Sequence, residues 1–295
     1  MRIDAHHHLW RVLPGDAAGP GPAPRAHDWL DDPGLTPIRR DFTLDDFAPA
    51  VAAAEIDRTV LVQVLPDVEE TADFLALAGR DPDGPVAGVV GWVDLTDGRT
   101  ADTLAALRAG PGGERLVGVR HLVQGEADPR WLTRPDVRRG LRDVGEAGLA
   151  YDLLTRPHQL PAAIETVRAL PGMTFVLDHV SKPDIAAGGL EPWASLVRGL
   201  AAEPNVFCKL SGMVTEADHA AWTVADLRPY ADVVLDAFGP ARVMFGSDWP
   251  VCLLAASYEE VVAAAEAVTA GLTEAERDDV FGATAVRAYR LREST

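Results

Sequence analysis

The chain has 295 residues, 24% of them charged and 47% apolar, which is ordinary globular composition and enough chain to bury a large core. Its 27 lysines and arginines face 45 aspartates and glutamates, a formal charge of −18. No basic block occurs, so a nucleic-acid partner or an anionic membrane surface is disfavoured, since phosphate binding needs clustered cations.

Two cysteines, Cys208 and Cys252, are too few for a disulfide framework and read as small buried hydrophobes. No apolar run approaches a membrane span, and the N-terminus lacks the form of a signal peptide. A soluble, cytoplasmic protein is expected.

In chain order, RIDAHHHLW (2–10) reads as a short buried strand. The three histidines lack the length and Gly/Ser context of a purification tag. Strict alternation places Asp4, His6 and His8 on one face and Ile3, Ala5 and His7 on the other. Two imidazoles on one face can converge on one metal ion or one substrate. A Pro/Gly-rich stretch, 11–41, follows, either a lid or pocket wall or a plain surface excursion. A helix then begins at Thr43, which with Asp46 has capping-box spacing.

Further strand signals are RTVLVQVL (58–65), VAGVVGWVDL (86–95), LVGVRHLVQ (116–124) and LAYDLLTRP (149–157). MTFVLDHVSKP (173–183), NVFCKLSGM (205–213) and VMFGSDWPV (243–251) complete eight. Amphipathic segments such as EETADFLALAGR, RPDVRRGLRDVGEAG and WTVADLRPYADVVLDAF separate them, and SYEEVVAAAEAV follows the last. A C-terminal helix starts at a second capping box, Thr273 to Glu276.

Eight strands, each followed by a helix, predict an α/β protein of the (β/α)8 TIM-barrel class, with 1–295 as one barrel domain. A doubly wound sheet is disfavoured because no GxGxxG follows a strand.

In such barrels the active site lies at the C-terminal strand ends. There the chain places His6, His8, Gln63, Trp92, Asp94, Arg120, His121, Asp152, Arg156, Asp178, His179, Ser181, Lys182, Lys209, Ser211 and Asp248. Buried unpaired, such groups cost on the order of several kcal/mol each, so their gathering at one mouth favours function over accident.

His6, His8, His179 and Asp248 are read as one shared site. His7 should face away, and His27, His158 and His219 read as solvated or structural. His121 leans to structure, with Arg120, Leu122 and Gln124 on the opposite face. Trp10, Trp92 and Trp249 are candidates for an aromatic pocket wall or plain core. Arg120, Arg156, Lys182 and Lys209 suggest a cationic mouth suited to a carboxylate or a polyhydroxylated sugar, with Lys209 alternatively pairing with an acidic neighbour.

ID-x-H-x-H on the first strand, a histidine on the sixth and an aspartate on the eighth resemble the amidohydrolase superfamily. More narrowly, IDAHHHLW, PIRRDFTLDDF, VVGWVDL, GVRHLVQ, LDHVSKP, KLSGMVTE and MFGSDWPV resemble its sugar-lactonase branch. That branch includes L-fuconolactonase, L-rhamnono-lactonase and 2-pyrone-4,6-dicarboxylate lactonase. The likeness spans essentially the whole chain.

The resemblance implies Asp248, His179, His6 and His8 as catalytic residues and Arg120 as a substrate holder. Trp10, Trp92, Lys182, Ser211 and Trp249 are further candidates for substrate contact. One divalent ion, zinc first, could sit on His6, His8, His179 and Asp248, or the site could work without metal. A two-metal centre is not expected: strand four offers Arg120 and His121 where a bridging lysine or glutamate is usual, and strand five offers Asp152 in place of a histidine. Thr284, where an asparagine is common, is read as structural.

The implied activity is opening of a sugar (aldono-) lactone such as L-fuconolactone, with Asp248 as general base. Alternatives are a metal-dependent decarboxylase, an aromatic-pathway (pyrone or muconate) lactonase, or a non-catalytic sugar-acid binder. The expected partner is a small lactone, and a homo-oligomer is compatible with the sequence.

Overall fold

The computed structural model describes residues 1–12, 21–81 and 83–292. Eight parallel strands lie side by side in chain order. They are β1 (Ile3–His7), β2 (Arg58–Val62), β3 (Val86–Gly91), β4 (Leu116–His121), β5 (Ala150–Leu153), β6 (Phe175–Leu177), β7 (Val206–Leu210) and β8 (Val243–Phe245).

The ring closes where the segment after β8 meets β1. His7 pairs in parallel with Trp249, the His8 N–H donates to the Trp249 carbonyl at 2.6 Å, and the Asp248 N–H donates to the His6 carbonyl at 2.8 Å.

Helices α1 (Leu44–Ala53), α2 (Val68–Gly79), α3 (Thr100–Ala109), α4 (Pro135–Glu146), α5 (Leu160–Ala169) and α6 (Trp193–Ala201) follow the first six strands. A short turn, α7 (Met213–Glu216), and α8 (Val224–Phe238) follow β7, and α9 (Tyr258–Val268) follows β8. The chain continues through α10 (Glu274–Asp278) to α11 (Thr284–Tyr289).

Both expected capping boxes form. The Thr43 N–H donates to the Asp46 carboxylate at 2.8 Å, and the Thr273 N–H donates to Glu276 at 2.8 Å. No helix among the described residues is long and apolar enough to cross a membrane.

Small and β-branched side chains, with one methionine, fill the lower barrel: Ile3, Ala5, Val60, Val62, Val90, Ala150, Val176 and Met244. Ala285, Ala288 and Tyr289 of α11 join the same cluster and plug that end. The C-terminal ends carry the polar groups, as in barrels generally.

Every strand stops before its apolar run does, because the last residues of each run bend into the mouth. Alternation also fails in β1. Three steps from Asp4 to His7 match only two, Thr59 to Leu61, in β2, so β1 contains a bulge. Ile3 and Ala5 therefore belong to the barrel interior, while Asp4 turns outward, away from His6 and His8. The Asp4 carboxylate clamps the bulge by accepting the His6 N–H at 3.1 Å, the Ser247 N–H at 2.8 Å and the Tyr258 hydroxyl at 3.2 Å.

Candidate active site

Three imidazoles surround one carboxylate at the mouth. Asp248 Oδ1 lies 3.4 Å from His8 Nε2, 3.7 Å from His6 Nε2 and 3.8 Å from His179 Nε2. His6 Nε2 and His8 Nε2 are 3.1 Å apart. All four residues are buried, Asp248 at 2% exposure.

Below them lies a layer of charge. Arg120 donates to Asp178 Oδ2 at 3.1 Å, to Gln63 Oε1 at 2.8 Å and to the Gln63 carbonyl at 2.6 Å. Lys209 Nζ lies 2.6 Å from Asp152 Oδ2, 3.0 Å from Asp178 Oδ1 and 3.0 Å from His6 Nδ1. The Tyr289 hydroxyl donates to Asp152 from beneath at 2.8 Å. Lys209 is thus the acid-paired cation that the sequence offered as one alternative.

Asp178 and His179 are neighbours in sequence, yet both face this floor. A strand would send one of them outward. The chain solves this with a left-handed turn: φ is +50° at His179, +47° at Val180, +62° at Ser181 and +49° at Lys182. Such a turn costs roughly 1–2 kcal/mol per L-residue. It is held by the Trp193 indole N–H on the Val180 carbonyl (2.7 Å), the Lys182 N–H on the His179 carbonyl (2.7 Å) and a Thr155–Ser181 hydroxyl contact (2.9 Å).

Gly212, at φ +64°, leaves room for the His179 ring, since a Cβ there would stand 2.8 Å from its Cγ and Nδ1. Gly212→Ala is expected to lower kcat/KM at this site about tenfold or more and to cost about 1–2 kcal/mol of stability. Steady-state rates and a melting curve check both; unchanged values would mean that His179 does not need this space.

A cavity of about 480 Å³ opens above the floor. His8, Arg120, His179 and Asp248 line it together with Trp10 and Lys182, as the sequence suggested. His6 is completely buried just below. Ala26, Asp28 and Trp29 make the described part of the 11–41 stretch a cavity wall; 13–20 fall outside the described residues. Opposite, Glu70 accepts the Val64 and Leu65 N–H groups at 2.8 and 2.9 Å and so fixes the Val64–Pro66 wall; burial pushes its carboxyl up to about 7.

Several predicted contacts lie elsewhere. Trp92 does not line the cavity: its backbone N–H bonds Thr71 of α2 and its indole N–H donates to His121 Nδ1 at 3.1 Å, outside the barrel. His121 stacks on Trp131 and pairs with Glu126 at 2.7 Å, a structural role. Trp249 faces outward, because Asp248 before it takes the inward position, and stacks on Phe47 of α1 at 4.5 Å.

Ser211 meets His179 Nδ1 at 2.9 Å instead of lining the cavity, so it positions that ring. Of the four cations expected at the mouth, only Arg120 and Lys182 line the cavity, and both are paired, with Asp178 and with Glu216 at 3.1 Å. Lys209 is wholly buried, and Arg156 belongs to a neighbouring depression. Asp94 is exposed and accepts from Thr96. Asp178 was expected as a strand-end residue, and the left-handed turn that follows it places it in the same floor as His179.

Burial pushes the imidazoles towards neutrality: His179 falls to about 4, His8 is lowered, and His6 lies well below its ordinary value, with Lys209 adding to the effect. Burial opposes the charge on Asp248, but contacts with His179, His8 and His6 outweigh it and hold the carboxyl well below the usual range. Asp248 is therefore ionised at neutral pH.

His8 Nδ1 bonds the Val62 carbonyl at 2.8 Å, which fixes the ring and leaves Nε2 facing Asp248 and His6. The Ser211 hydroxyl, which can donate or accept, suits either tautomer of His179. Imidazole Nε2 atoms converging on a carboxylate oxygen are the donor set of a divalent-metal site; His6 offers its Nε2 lone pair when its Nδ1–H turns to Asp178 Oδ1 at 3.4 Å rather than accepting from Lys209. Ligands about 2.0–2.1 Å from a tetrahedral ion stand about 3.3 Å apart, close to the separations of 3.1 to 3.8 Å seen here. The ligand atoms of His6, His179 and Asp248 lie within 4.8 Å of one another. The residues present fit one divalent ion.

A closed ring of parallel strands with His6, His179 and Asp248 gathered at its C-terminal mouth, and His8 beside Asp248, defines a barrel hydrolase. The chain belongs to the amidohydrolase family, whose profile matches residues 3–291. It is 38% identical to an L-fucono-1,5-lactonase of Burkholderia multivorans, over 99% of this chain and 97% of that protein. An L-fucono-1,5-lactonase of Burkholderia ambifaria is 36% identical over 99% and 96%. Among solved structures, an amidohydrolase from Burkholderia multivorans with bound zinc is 38% identical and superposes with a TM-score of 0.88, covering 99% of this chain and 100% of that one.

Proposed function

We propose that the protein hydrolyses a neutral sugar lactone of the L-fucono-1,5-lactone type to the free aldonic acid. The observation that carries this reading is the ionised Asp248 carboxylate on the floor of the cavity, ringed by His6, His8 and His179. Likeness to two L-fucono-1,5-lactonases supports the substrate class.

Asp248 takes a proton from water as its oxygen bonds to the ester carbonyl carbon. The Nε2–H of His179, with the Ser211 hydroxyl donating to Nδ1, faces the charge that develops on the carbonyl oxygen, and the Arg120 guanidinium adds positive charge nearby. His8 cannot share that task while neutral, since its one N–H serves Val62. When the ring C–O bond breaks, protonated Asp248 returns its proton to the departing alkoxide.

A divalent ion on His6, His8, His179 and Asp248 would supply Lewis-acid polarisation of the carbonyl in place of that His179 N–H, with the Ser211 hydroxyl then accepting from Nδ1–H. Zinc at about 100 times its Kd, added to chelator-treated protein, is expected to stabilise it by about 2.7 kcal/mol, and His8→Ala to weaken that response. A melting temperature indifferent to zinc would contradict the donor set.

The cavity favours a neutral substrate over a dicarboxylate, because both lining cations are already paired and Asp28 adds a carboxylate at the mouth. Acid release in weakly buffered indicator, over a panel of sugar lactones and 2-pyrone-4,6-dicarboxylate, tests the proposal. Fast opening of L-fucono-1,5-lactone supports it. Preference for the dicarboxylate, or silence across the panel in folded protein, overturns it.

A further inference from the structure

Both ring nitrogens of His6 are contested by two partners. Nδ1 lies 3.0 Å from Lys209 Nζ and 3.4 Å from Asp178 Oδ1. Nε2 lies 3.1 Å from His8 Nε2 and 3.3 Å from Arg120 Nη1, with Asp248 Oδ1 further off at 3.7 Å. Burial keeps the ring neutral, so it carries one N–H and one lone pair.

The four close contacts divide into two sets. With the proton on Nε2, a Lys209 N–H donates to Nδ1 and the Nε2–H donates to His8, whose own N–H serves the Val62 carbonyl while that ring is neutral. An ammonium has no lone pair, so Lys209 can fill only the donor role. These are the two shorter contacts. With the proton on Nδ1, the partners are Asp178 Oδ1 and Arg120, at the two longer separations. Lys209 then meets an N–H, and the His6 and His8 lone pairs meet each other at 3.1 Å. That arrangement is unfavourable unless a cation lies between the two rings.

Asp178 Oδ1 supplies an independent sign. It is buried and has no hydrogen-bond partner among the described residues: Lys209 Nζ stands 3.0 Å away as a charge partner only, and Arg120 bonds the other oxygen. Native proteins seldom leave a buried acceptor so without a reason. A proton on His6 Nδ1 would satisfy it, and metal-bound imidazoles almost always pass their second N–H to such an acceptor.

We propose that Lys209 and Asp178 are positioning residues that give His6 two tautomers. Lys209 holds the Nε2–H form, a hydrogen-bond donor, in the metal-free site; Asp178 takes the Nδ1–H of the form that offers Nε2 to a divalent ion. In the exchange one proton leaves Nε2 and one arrives at Nδ1, so the ring stays neutral. The inference concerns the floor alone and goes beyond the lactonase reading, whose substrate it does not use.

Long-range proton–nitrogen correlation spectra of histidine-labelled protein read which ring nitrogen carries the proton, with His6 assigned by its loss in His6→Gln. The metal-free wild type is expected to show Nε2–H, and added zinc to move the proton to Nδ1. Zinc affinity, measured by chelator competition without turnover, is expected to fall about tenfold or more in Asp178→Asn, whose amide oxygen stays with Arg120 and whose amide N–H faces Nδ1. Lys209→Met is expected to show Nδ1–H before any zinc is added. Nδ1–H in the metal-free wild type, a tautomer unmoved by zinc, an unchanged affinity in Asp178→Asn, or Nε2–H retained in folded Lys209→Met overturns the proposal. The wild type alone gives the first two results, so a variant that fails to fold leaves the test standing. Failure of the lactonase reading shows separately, as absence of acid release from every lactone.

Discussion

Asp248→Asn is expected to lower kcat for lactone opening by at least about 10³-fold, within the range of about 10²–10⁴-fold or more typical for loss of a general base. The amide keeps the shape of the carboxylate but cannot take the proton from water. Fold should survive, since the site is held by the Val62, Ser211 and Lys209 contacts to the histidines rather than by Asp248. Stopped-flow or indicator kinetics alongside a melting curve check both parts. An Asn variant that keeps even a tenth of the wild-type rate would remove Asp248 as the base.

The second large effect is on stability. Lys209 is completely buried between Asp152 and Asp178, themselves completely buried. Lys209→Met is expected to cost about 3–5 kcal/mol, because it leaves Asp152 buried without its cation and facing Asp178, which keeps only Arg120. Burial already raises Asp152 to about 6, against the pull of Lys209 and the Tyr289 hydroxyl. Without Lys209 that carboxyl rises further above its unfolded value. A folded pKa above the unfolded one means stability present at low pH and lost as pH rises through the folded value. The deficit of the variant should therefore grow from pH 5 to pH 8, as urea unfolding at several pH values would show. A cost below about 1 kcal/mol at neutral pH would mean that water or a rearranged side chain compensates for the lysine.

The architecture was legible because parallel strands buried on both faces leave short Val/Ile/Leu runs, and helices between them carry capping boxes that proved real at Thr43 and Thr273. The strand starts fell within two residues of the observed ones. The ends did not, since apolar runs continue past the last ladder bond into the mouth, as LDHVSKP does after Leu177.

The site was legible as a residue list and less so as a geometry. His6, His8, His179 and Asp248 were brought together as expected, but strict alternation misplaced Asp4, which a bulge turns outward, and hid Asp178, which a left-handed turn keeps facing in. No local signal announces that turn: Val180 is β-branched, the residue type least suited to positive φ. The partners of Lys209, and the Tyr289 hydroxyl that reaches Asp152 from the C-terminal helix, are contacts that only the closed barrel creates. Trp92 and Trp249 failed as pocket walls for a similar reason. Whether a strand-end tryptophan faces the cavity or a helix depends on where the ladder stops.

The central claim is that water adds to the ester carbonyl of a sugar lactone in this cavity. It is tested most directly by turnover of L-fucono-1,5-lactone in heavy-oxygen water, with the product read by mass spectrometry. The predicted result is an acid carrying one heavy oxygen, located in its carboxylate and not in the released hydroxyl. A product that has lost carbon dioxide, heavy oxygen in the hydroxyl, or no turnover above spontaneous opening would contradict it.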